Sequence, residues 1–470
     1  MEPERKDPIV ALNLALVEKY QSISPYYSSY PALGEWKEDF QTGEFEEALS
    51  KFCSEEKPSG PNTYAFYVHY PYCIQLCYFC ICNMRVTHDK AVKQKALNHI
   101  SREIGYFRRF FETQPRKPVC KEIHLGGGTP SFMDNEDFDR LIEDIESLVD
   151  MSTVEEFAME IDPRTATPET IRYYATKGIN RISFGIQDFN PRVQEAVNRV
   201  QPVEHVRELL SPEIRNLYKS VNFDILYGLP LQTRETFRET INIVKEFMPE
   251  RITLIRYAHV PHIKKHMKLL NEADILSEKE KLLMFIETVE SLMDAGYAHV
   301  GIDNFAKPTD SLGKAFRNKT VWRNFSGFTP GRVKNMIGVG PSSTSVFSDI
   351  YSQNVYDISG YYQAIERNQF PPIERGYKMS RDDLLRREVI LRIACDNFLK
   401  LPFIEEQFDI DFKTYFKDEL HSLNDFIQDG LVDLSDQMLT ITPLGRFFVR
   451  HVCKVFDSFL KSKTYQIHGT

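Results

Sequence analysis

The sequence predicts an α/β fold built on a parallel sheet, either open or curved into part of a barrel. From about residue 64 onward, strand-like runs alternate with segments of helical periodicity, and six strand–helix units follow one another. Turn residues bound these runs. The 470 residues, 42% of them hydrophobic, suffice for a large core in two or three domains.

The six units are recognised in order along the chain. The first strand is "TYAFYVHYP", and the helix after it carries apolar residues at helical spacing between Val92 and Phe111. The next pairs are "EIHLGGG" with "NEDFDRLIEDIESLV", "EFAMEID" with "PETIRYYATKG", "RISFGIQ" with "PRVQEAVNR", "VNFDILYGLP" with "RETFRETINIVKEF", and "RITLIRYAHVP" with the later "SEKEKLLMFIETVESLMDAG". In such sheets the chemistry lies at the carboxyl ends of the strands.

Both ends of the chain differ in character from this middle part. The first 60 residues join a helical stretch, "NLALVEKYQSI", to Pro- and Tyr-rich connections, which indicates an accessory arm. Near residue 380 a capping-box pair, Ser380 and Asp383, begins a helix, and "DGLVDLSDQMLTITPLGRFF" predicts two short strands followed by a helix. This end resembles a winged-helix domain, and with no basic surface we expect it to pack as a lid. The predicted regions are an arm (1–60), a barrel (61–305), a connecting region (306–375) and a helical C-terminal domain (376–470).

The composition is typical of a soluble enzyme, and its net charge gives no general attraction to polyanionic partners. Charged residues make up 27% of the chain and the formal net charge is −9, so neither nucleic acid nor an anionic membrane is an expected partner. The start, "MEPERKDPIV", lacks a signal-peptide pattern, and no apolar run reaches the roughly 18 residues of a membrane span. We expect a cytoplasmic protein and, by default, a monomer.

Four of the eight cysteines crowd into one stretch, "HYPYCIQLCYFCICN". Cys73, Cys77 and Cys80 have the spacing C-x3-C-x2-C, and Cys82 follows two residues later. Three thiolates on a short loop can hold three irons of a cubane cluster and leave the fourth iron open. Zinc is the main alternative, although it prefers two separated C-x2-C pairs and no second pair exists. The four scattered cysteines are expected to be small buried side chains: Cys53, Cys120, Cys395 and Cys453.

The cysteine loop, with Phe79 before its third cysteine, resembles the radical S-adenosylmethionine (SAM) superfamily. The appended Cys82–Asn83 pair is similar to the oxygen-independent coproporphyrinogen III oxidases. Further blocks resemble that family in order over nearly the whole chain: "YVHYPYC", "HLGGGTPSF", "EIDPRT", "FGIQDFNPRVQEAVNRVQ", "NFDILYGLPLQT", "RYAHVP", "WRNFSGFT" and "FIEEQFDIDFKTYF…DGLVDL".

The resemblance implies a partial (β/α)6 barrel of the radical SAM type, with an N-terminal arm and a mostly helical, winged-helix-like C-terminal domain. It also implies anaerobic oxidative decarboxylation of two propionates of coproporphyrinogen III to vinyl groups, which gives protoporphyrinogen IX in heme biosynthesis. The expected cofactors are a [4Fe–4S] cluster on Cys73, Cys77 and Cys80 and one or two SAM molecules. The expected partners are the tetrapyrrole and an electron donor such as a flavodoxin or ferredoxin.

The resemblance places a further set of residues around SAM, with Thr344 in the block "GVGPSSTSV" assigned to a second SAM. Each has an ordinary structural alternative: a tight turn for the glycines of 126–128, an internal salt bridge for Arg199 and a core aromatic for Tyr67. Cys82 is not expected to ligate the cluster. The implied residues are Tyr67, Phe79, Cys82, Gly127, Gly128, Thr129, Glu160, Gln187, Arg199, Asp224, Ala258 and Thr344.

Three positions depart from the family pattern. Ile81 stands where glycine is expected, Tyr26 where arginine is expected and Asn304 where histidine is expected. The last two changes remove groups that could bind propionates, and nearby cations could compensate: Arg323, Arg332, Lys264, Lys265 and Lys268. Another tetrapyrrole substrate, for a radical SAM methyltransferase or a heme-ring-opening enzyme, stays an alternative, as does a heme-binding chaperone.

Overall fold

The computed structural model describes residues 14–22, 24–55 and 62–460. Parts of the predicted arm and C-terminal domain therefore lie outside the described residues, as do Asn13 and Ile23 at the two ends of the predicted first helix. Within the described ranges, no helix combines the length and the apolarity that crossing a bilayer requires.

The described strands are β1 Thr63–Tyr70, β2 Tyr72–Cys73, β3 Arg85–Val86, β4 Val119–Gly127, β5 Glu156–Ile161, β6 Arg181–Gln187, β7 Ser220–Tyr227, β8 Arg251–Arg256, β9 Ala298–His299, β10 Asn304–Ala306, β11 Trp322–Asn324, β12 Gly327–Thr329, β13 Asn335–Val339, β14 Thr344–Phe347, β15 Ile350–Asn354, β16 Ile373–Lys378, β17 Phe398–Lys400, β18 Val432–Leu434 and β19 Met438–Ile441. The described helices are α1 Leu14–Tyr20, α2 Thr42–Ser54, α3 Lys90–Glu112, α4 Asn135–Leu148, α5 Pro168–Thr176, α6 Pro191–Ala196, α7 Val203–Leu209, α8 Pro212–Arg215, α9 Arg234–Phe247, α10 Glu278–Asp294, α11 Ser311–Asn318, α12 Ile358–Glu366, α13 Arg381–Asp396, α14 Leu401–Phe408, α15 Phe412–Tyr415, α16 Lys417–Ser422, α17 Asn424–Gln428 and α18 Val449–Val455.

The six predicted strand–helix units are confirmed. Their strands are β1 and β4 to β8, and they pair in parallel in chain order. Parallel neighbours need a crossover helix, which is why the helical segments alternate with them. All six carboxyl ends therefore meet at one edge of the sheet, and we call this the carboxyl edge.

The sheet is larger than the six units and is mixed. β13 pairs in parallel with β1 on the side away from β4, and β14, β15 and β16 continue from it in antiparallel fashion. At the other end β10 and β9 add to β8, also antiparallel, for twelve strands in all. The predicted connecting region thus supplies four strands of the sheet. The two ends do not pair with each other, as a partial barrel requires.

The C-terminal region is helical with one small sheet, as predicted. Ser380 caps α13, and the reciprocal hydrogen bonds of the capping box with Asp383 are present. The two predicted strands, β18 and β19, are joined by β17, which was not predicted, in a three-stranded antiparallel sheet.

The arm belongs to two hydrophobic cores. Phe45 and Phe52 of α2 are buried in the core of the large sheet, whereas Leu16 and Tyr20 of α1 pack into the core of the C-terminal region. The Tyr20 hydroxyl also donates to the carboxylate of Asp429 at 2.6 Å. The arm therefore fastens the C-terminal region to the barrel.

Candidate functional site

The cysteine loop follows β1 and is attached to the turn after α6. Tyr78 donates its backbone N–H to the carbonyl of Val197 at 3.0 Å, and the side chain of Asn198 donates to the carbonyl of Leu76 at 2.8 Å. Asn198 has a positive φ of 56°, a conformation that asparagine adopts more readily than most residues. The loop is thus held at the carboxyl edge by backbone contacts that do not involve the thiols.

Polar donors face two of the three predicted cluster thiols. The Thr129 hydroxyl donates to Sγ of Cys73 at 3.1 Å. Cys77 Sγ accepts from Arg164 Nη2 at 3.2 Å and from Arg199 Nη1 at 3.4 Å. Positive and hydroxyl donors aimed at sulfur stabilise thiolates and the anionic clusters that thiolates hold.

This donor set fits an iron–sulfur cluster better than a single metal ion. Among the described residues, no three Cys, His, Asp or Glu side chains are gathered as the ligands of one ion would be. In a cubane each thiolate binds a different iron, so three ligands on one loop need not converge on one point. Cys82 is exposed, and its thiol contacts that of Cys80, where the hydrogen bond from Cys82 lowers the pKa of Cys80.

Arg199 is buried at the centre of an ionic network. It donates from Nη1 to Oδ2 of Asp162 at 3.1 Å and from Nη2 to the carbonyl of Gly185 at 2.6 Å. Burial alone would raise the pKa of Asp162, but the charge of Arg199 and the hydrogen bond from Arg164 lower it to about 2. Arg199 lies beyond α6 rather than at a strand end, and its long side chain returns to β6.

The glycine turn after β4 packs closely against side chains of β1 and β5. A Cβ on Gly126 would stand 2.7 Å from Oε1 of Glu160, and one on Gly127 would stand 2.9 Å from the ring of His69. Gly127 also has a φ of 111°, which side chains rarely allow. The turn therefore needs glycine whatever ligand approaches it, and it brings Glu160 next to Tyr67.

Tyr67, His69 and Glu160 line the carboxyl edge between β1 and β5. His69 donates from Nε2 to the carbonyl of Asn83 at 2.8 Å, so its Nδ1 accepts the hydrogen bond from the Tyr67 hydroxyl at 3.2 Å. Burial lowers the pKa of His69, in keeping with a neutral ring. Oε1 of Glu160 lies 3.1 Å from Nε2 of His124, and its side chain keeps 41% of its surface exposed.

Gln187 and Asp224 lie on neighbouring strands. Gln187 ends β6 with a φ of 65°, an uncommon value for a residue other than glycine and a sign of a constrained site. Asp224 lies inside β7 rather than at its end, and it accepts hydrogen bonds from Ser183 and Asn222, both at 2.8 Å. Burial raises the pKa of its carboxyl.

Comparison with known proteins agrees with these features. Residues 67–244 match the radical SAM superfamily, and residues 379–448 match the HemN C-terminal domain. The chain is 35% identical to the oxygen-independent coproporphyrinogen III oxidase of Salmonella typhimurium, over 96% of each chain. The corresponding protein of Synechocystis is also 35% identical, over 98% of this chain and 97% of its own. The solved structure of HemN from Escherichia coli, a coproporphyrinogen III oxidase and radical SAM enzyme, superposes with a TM-score of 0.87 at 34% identity over 95% of this chain and 99% of HemN.

The chain belongs to the oxygen-independent coproporphyrinogen III oxidase family. It has the radical SAM fold, and membership of that superfamily gives it a [4Fe–4S] cluster and SAM as cofactors. The roles of individual residues toward these cofactors stay predictions.

The other predicted site residues of this family member occupy three places. Phe79 packs against an apolar cluster beside the cysteine loop, and Ala258 is half-buried just after β8. Thr344 begins β14 and is buried two strands away from β1. A Cβ on Gly340, in the loop before it, would clash with the carbonyl of His69, so that loop reaches the carboxyl edge.

Sequence reasoning missed the partners of the predicted residues. Asp162 and Arg164, which complete the network of Arg199, lie inside the block "EIDPRT", of which only Glu160 was assigned. His124 and Ser183 were also missed. Inward-facing polar residues on otherwise apolar strands were the available signal, because buried polar groups require partners.

Two of the departures, Tyr26 and Asn304, meet in one set of hydrogen-bonded residues, which we name the arm network (Tyr26, Asp303, Asn304 and Arg323). Arg323 donates from Nε to the carbonyl of Tyr26 at 2.9 Å and from Nη1 to Asp303 at 3.4 Å. Asn304 donates to the same Asp303 carboxylate at 2.6 Å. The arm network thus joins the arm to β10 and β11.

Polar side chains connect the arm network to Asp224. The Thr253 hydroxyl lies 3.5 Å from Oδ1 of Asn304 and 3.3 Å from Oδ1 of Asn222. Asn222 in turn donates to Asp224. The positions that depart from the family are therefore linked to the predicted SAM site through a row of inward-facing groups.

The candidate compensating cations differ in their surroundings. Arg332 is paired with Asp396 at 2.8 Å, and Lys264 donates to the carbonyl of Cys82 at 3.0 Å. Lys265 and Lys268 are exposed. Of these five cations, Arg323 is the one that belongs to the arm network.

Proposed function

We propose that this protein is an oxygen-independent coproporphyrinogen III oxidase, which decarboxylates two propionates of its substrate to vinyl groups and yields protoporphyrinogen IX. The full-length similarity carries the proposal: 96% of the chain aligns with a coproporphyrinogen III oxidase, including the cysteine loop and the C-terminal region. A protein that shared only the radical machinery would match over the barrel alone.

Cys73, Cys77 and Cys80 would hold the cluster. When bound, the cluster and SAM supply reductive cleavage of SAM and with it a radical that abstracts hydrogen. The chain's part is to place donors around the sulfurs: Thr129 toward Cys73, and two guanidinium groups toward Cys77. Charged donors of this kind in a buried site raise the cluster potential and keep the loop ordered.

The carboxyl edge would hold SAM. Its ammonium and carboxylate groups require polar partners, and the edge offers Glu160, the backbone of the glycine turn and Arg199. Gln187, Asp224 and Ala258 follow on the next three strands, where the adenosine part would extend. Tyr67, Phe79 and Thr129 would close the site beside the cysteine loop, Cys82 would border it, and Thr344 would contact a second SAM.

We further propose that Arg323 binds a substrate propionate. A propionate carboxylate calls for a cation, and guanidinium suits it well; Nη2 is the nitrogen of Arg323 that donates to neither Tyr26 nor Asp303. The position of Arg323 in the arm network, next to both departures, supports this role. Cytoplasmic location, a monomeric state and reduction by a flavodoxin or ferredoxin belong to the same proposal.

Anaerobic turnover tests the proposed function. The protein is reconstituted with iron and sulfide, then mixed with SAM, a reductant and coproporphyrinogen III, and the products are followed by mass spectrometry. We expect loss of two carboxyl groups as vinyls in the wild type and none in Cys77→Ala. Cleavage of SAM with an intact porphyrinogen would reject the substrate assignment, and heme would be tried next.

A further inference from the structure

A basic segment lies directly on the cysteine loop. We define it as residues 261–270, "PHIKKHMKLL". His266 donates from Nε2 to the carbonyl of Cys80 at 2.8 Å, and Lys264 donates from Nζ to the carbonyl of Cys82 at 3.0 Å. The basic segment thus contacts the backbone of Cys80, a predicted cluster ligand, directly.

The inner side of the basic segment is anchored. Met267 is fully buried, in the same apolar cluster against which Phe79 and Ile81 pack. A short 3-10 turn, Lys265–Leu269, surrounds this anchor and turns the neighbouring side chains outward. The segment is therefore held in place against the loop, and its outer face is presented to solvent on a defined backbone.

The outer face combines positive charge with exposed apolar groups. Leu269 is 64% exposed and Ile263 is 38% exposed. Lys265 and Lys268 are also exposed, and within the described part of the chain neither lies within salt-bridge distance of a carboxylate. The nearby acid Glu272 is engaged by His259 at 3.2 Å. The net charge of the protein is −9, so this positively charged face differs in sign from the chain as a whole.

We propose that the outer face of the basic segment is the docking surface for a small acidic protein that carries one electron at low potential. The inference rests on the proposed function, because it requires a cluster on the cysteine loop. Each encounter oxidises the carrier by one electron and reduces the cluster by one, with no bond formed or broken. A carrier bound to this face would contact the segment whose His266 is hydrogen-bonded to the backbone of Cys80.

Charge complementarity identifies the partner. Lysines at the rim of an interface attract an acidic protein from a distance and suppress other partners, while exposed apolar side chains supply the contact itself. Transient redox complexes bury little surface, so a face of this size suits them. The effect of the lysines should appear mainly in the association rate and should weaken as salt rises.

A charge-reversal pair tests the docking surface. Lys265→Glu with Lys268→Glu changes two exposed side chains on the outer face. The matched control, Lys117→Glu with Lys219→Glu, makes the same change in exposed lysines that precede β4 and β7, at the opposite edge of the sheet. Cluster reduction is followed by loss of absorbance, with two reductants: reduced flavodoxin, and photoreduced 5-deazariboflavin as a small uncharged donor.

We expect flavodoxin to reduce the outer-face variant about 10-fold more slowly than the wild type at low salt, with a flatter salt dependence. The uncharged donor should reduce both at the same rate, and the control variant should match the wild type with either donor. Equal rates with flavodoxin would overturn the proposal, and so would slowing with both donors, which would indicate a damaged cluster site. Vinyl formation driven by the uncharged donor tests the proposed function separately.

Discussion

The carboxyl edge and the arm network are both polar and largely buried, yet they are assembled differently. Residues of the carboxyl edge come from consecutive strand–helix units, so that Glu160, Asp162, Gln187 and Arg199 lie within 40 positions of one another. The arm network brings together Tyr26 with residues near 303 and 323. The first region is therefore assembled by neighbouring strand–helix units, whereas the second depends on contacts between distant parts of the chain.

Two of the three family departures, Tyr26 and Asn304, lie in the arm network, whereas Ile81 lies on the cysteine loop. Asn304 and Tyr26 are both bound in the arm network by Arg323 or Asp303. The Cys77, Asp162 and Arg199 contacts of the carboxyl edge involve none of them. Changes at the carboxyl edge should therefore abolish radical formation, and changes in the arm network should alter only how the substrate is used.

The largest effect is expected at Cys77. Cys77→Ala removes a predicted cluster ligand, and we expect loss of the iron–sulfur absorption band and of all SAM cleavage. Cys53→Ala, which removes a buried thiol of α2, should bind iron as the wild type does. Equal iron content in both variants would show that Cys77 does not bind the cluster.

Arg199→Gln is expected to be next in size. The variant leaves the buried Asp162 carboxylate without its Arg199 partner, which lowers the free energy of unfolding by about 3 kcal/mol. SAM cleavage should fall by roughly two orders of magnitude.

The lowered pKa of Asp162 provides a second test, which uses the protein without its cofactors. In the wild type this pairing stabilises fully above about pH 5, and its contribution of about 2 kcal/mol is lost as the pH falls through the folded-state pKa of about 2. Urea unfolding across that range should show the loss in the wild type and a smaller one in the variant.

Arg323→Gln separates the two regions. We expect kcat/KM for coproporphyrinogen III to fall about 10- to 100-fold, with cluster content unchanged, because the propionate loses a charged partner. Arg323→Lys should recover part of the loss. Arg367→Gln, an exposed residue after α12, serves as the control. An unchanged kcat/KM in Arg323→Gln would show that the substrate is held by other cations.

The smallest effect concerns Glu103, which is fully buried on α3. Its carboxylate accepts hydrogen bonds from the backbone of Gly340 at 2.8 Å and from Asn354 and Tyr361, both at 2.6 Å. Burial raises its pKa to about 7. Because the raised pKa favours the neutral form in the folded state, the wild type loses stability as the pH rises through 7.

Comparison of Glu103→Gln with the wild type by urea unfolding measures this effect. The stability advantage of the wild type over the variant should shrink by about 2 kcal/mol between pH 5 and pH 8. A constant difference would mean that the carboxyl is charged throughout this range.

Much of the barrel was predictable from sequence because its signals are local. Apolar strands bounded by turns, and helices with one apolar face, identify the six units wherever they lie in space. The sequence predicts only a connecting region where β13 to β16 lie, because strand pairing over hundreds of residues leaves no local signal. β13 pairs with β1 across about 270 positions of sequence, and its buried run Met336–Val339 is too short to be distinctive.

The candidate site was predictable to a similar degree. The spacing of the cysteines indicates a cluster directly, since few other groups use three thiols on one loop. The partner of Arg199 was not predictable, because Asp162 follows β5 and Arg199 follows α6, and only folding brings the two side chains to 3.1 Å. Likewise, nothing in the spacing of Tyr26 and Asn304 shows that Arg323 and Asp303 connect them.

The coupling between SAM cleavage and product formation tests the central claim most directly. With coproporphyrinogen III as substrate, 5′-deoxyadenosine and vinyl groups are quantified together in single anaerobic reactions. If the carboxyl edge forms the radical and Arg323 compensates for the departures at Tyr26 and Asn304, the wild type should form about one vinyl group for each 5′-deoxyadenosine. Abundant 5′-deoxyadenosine without vinyl product would contradict the account, because the arm network would then not hold this substrate.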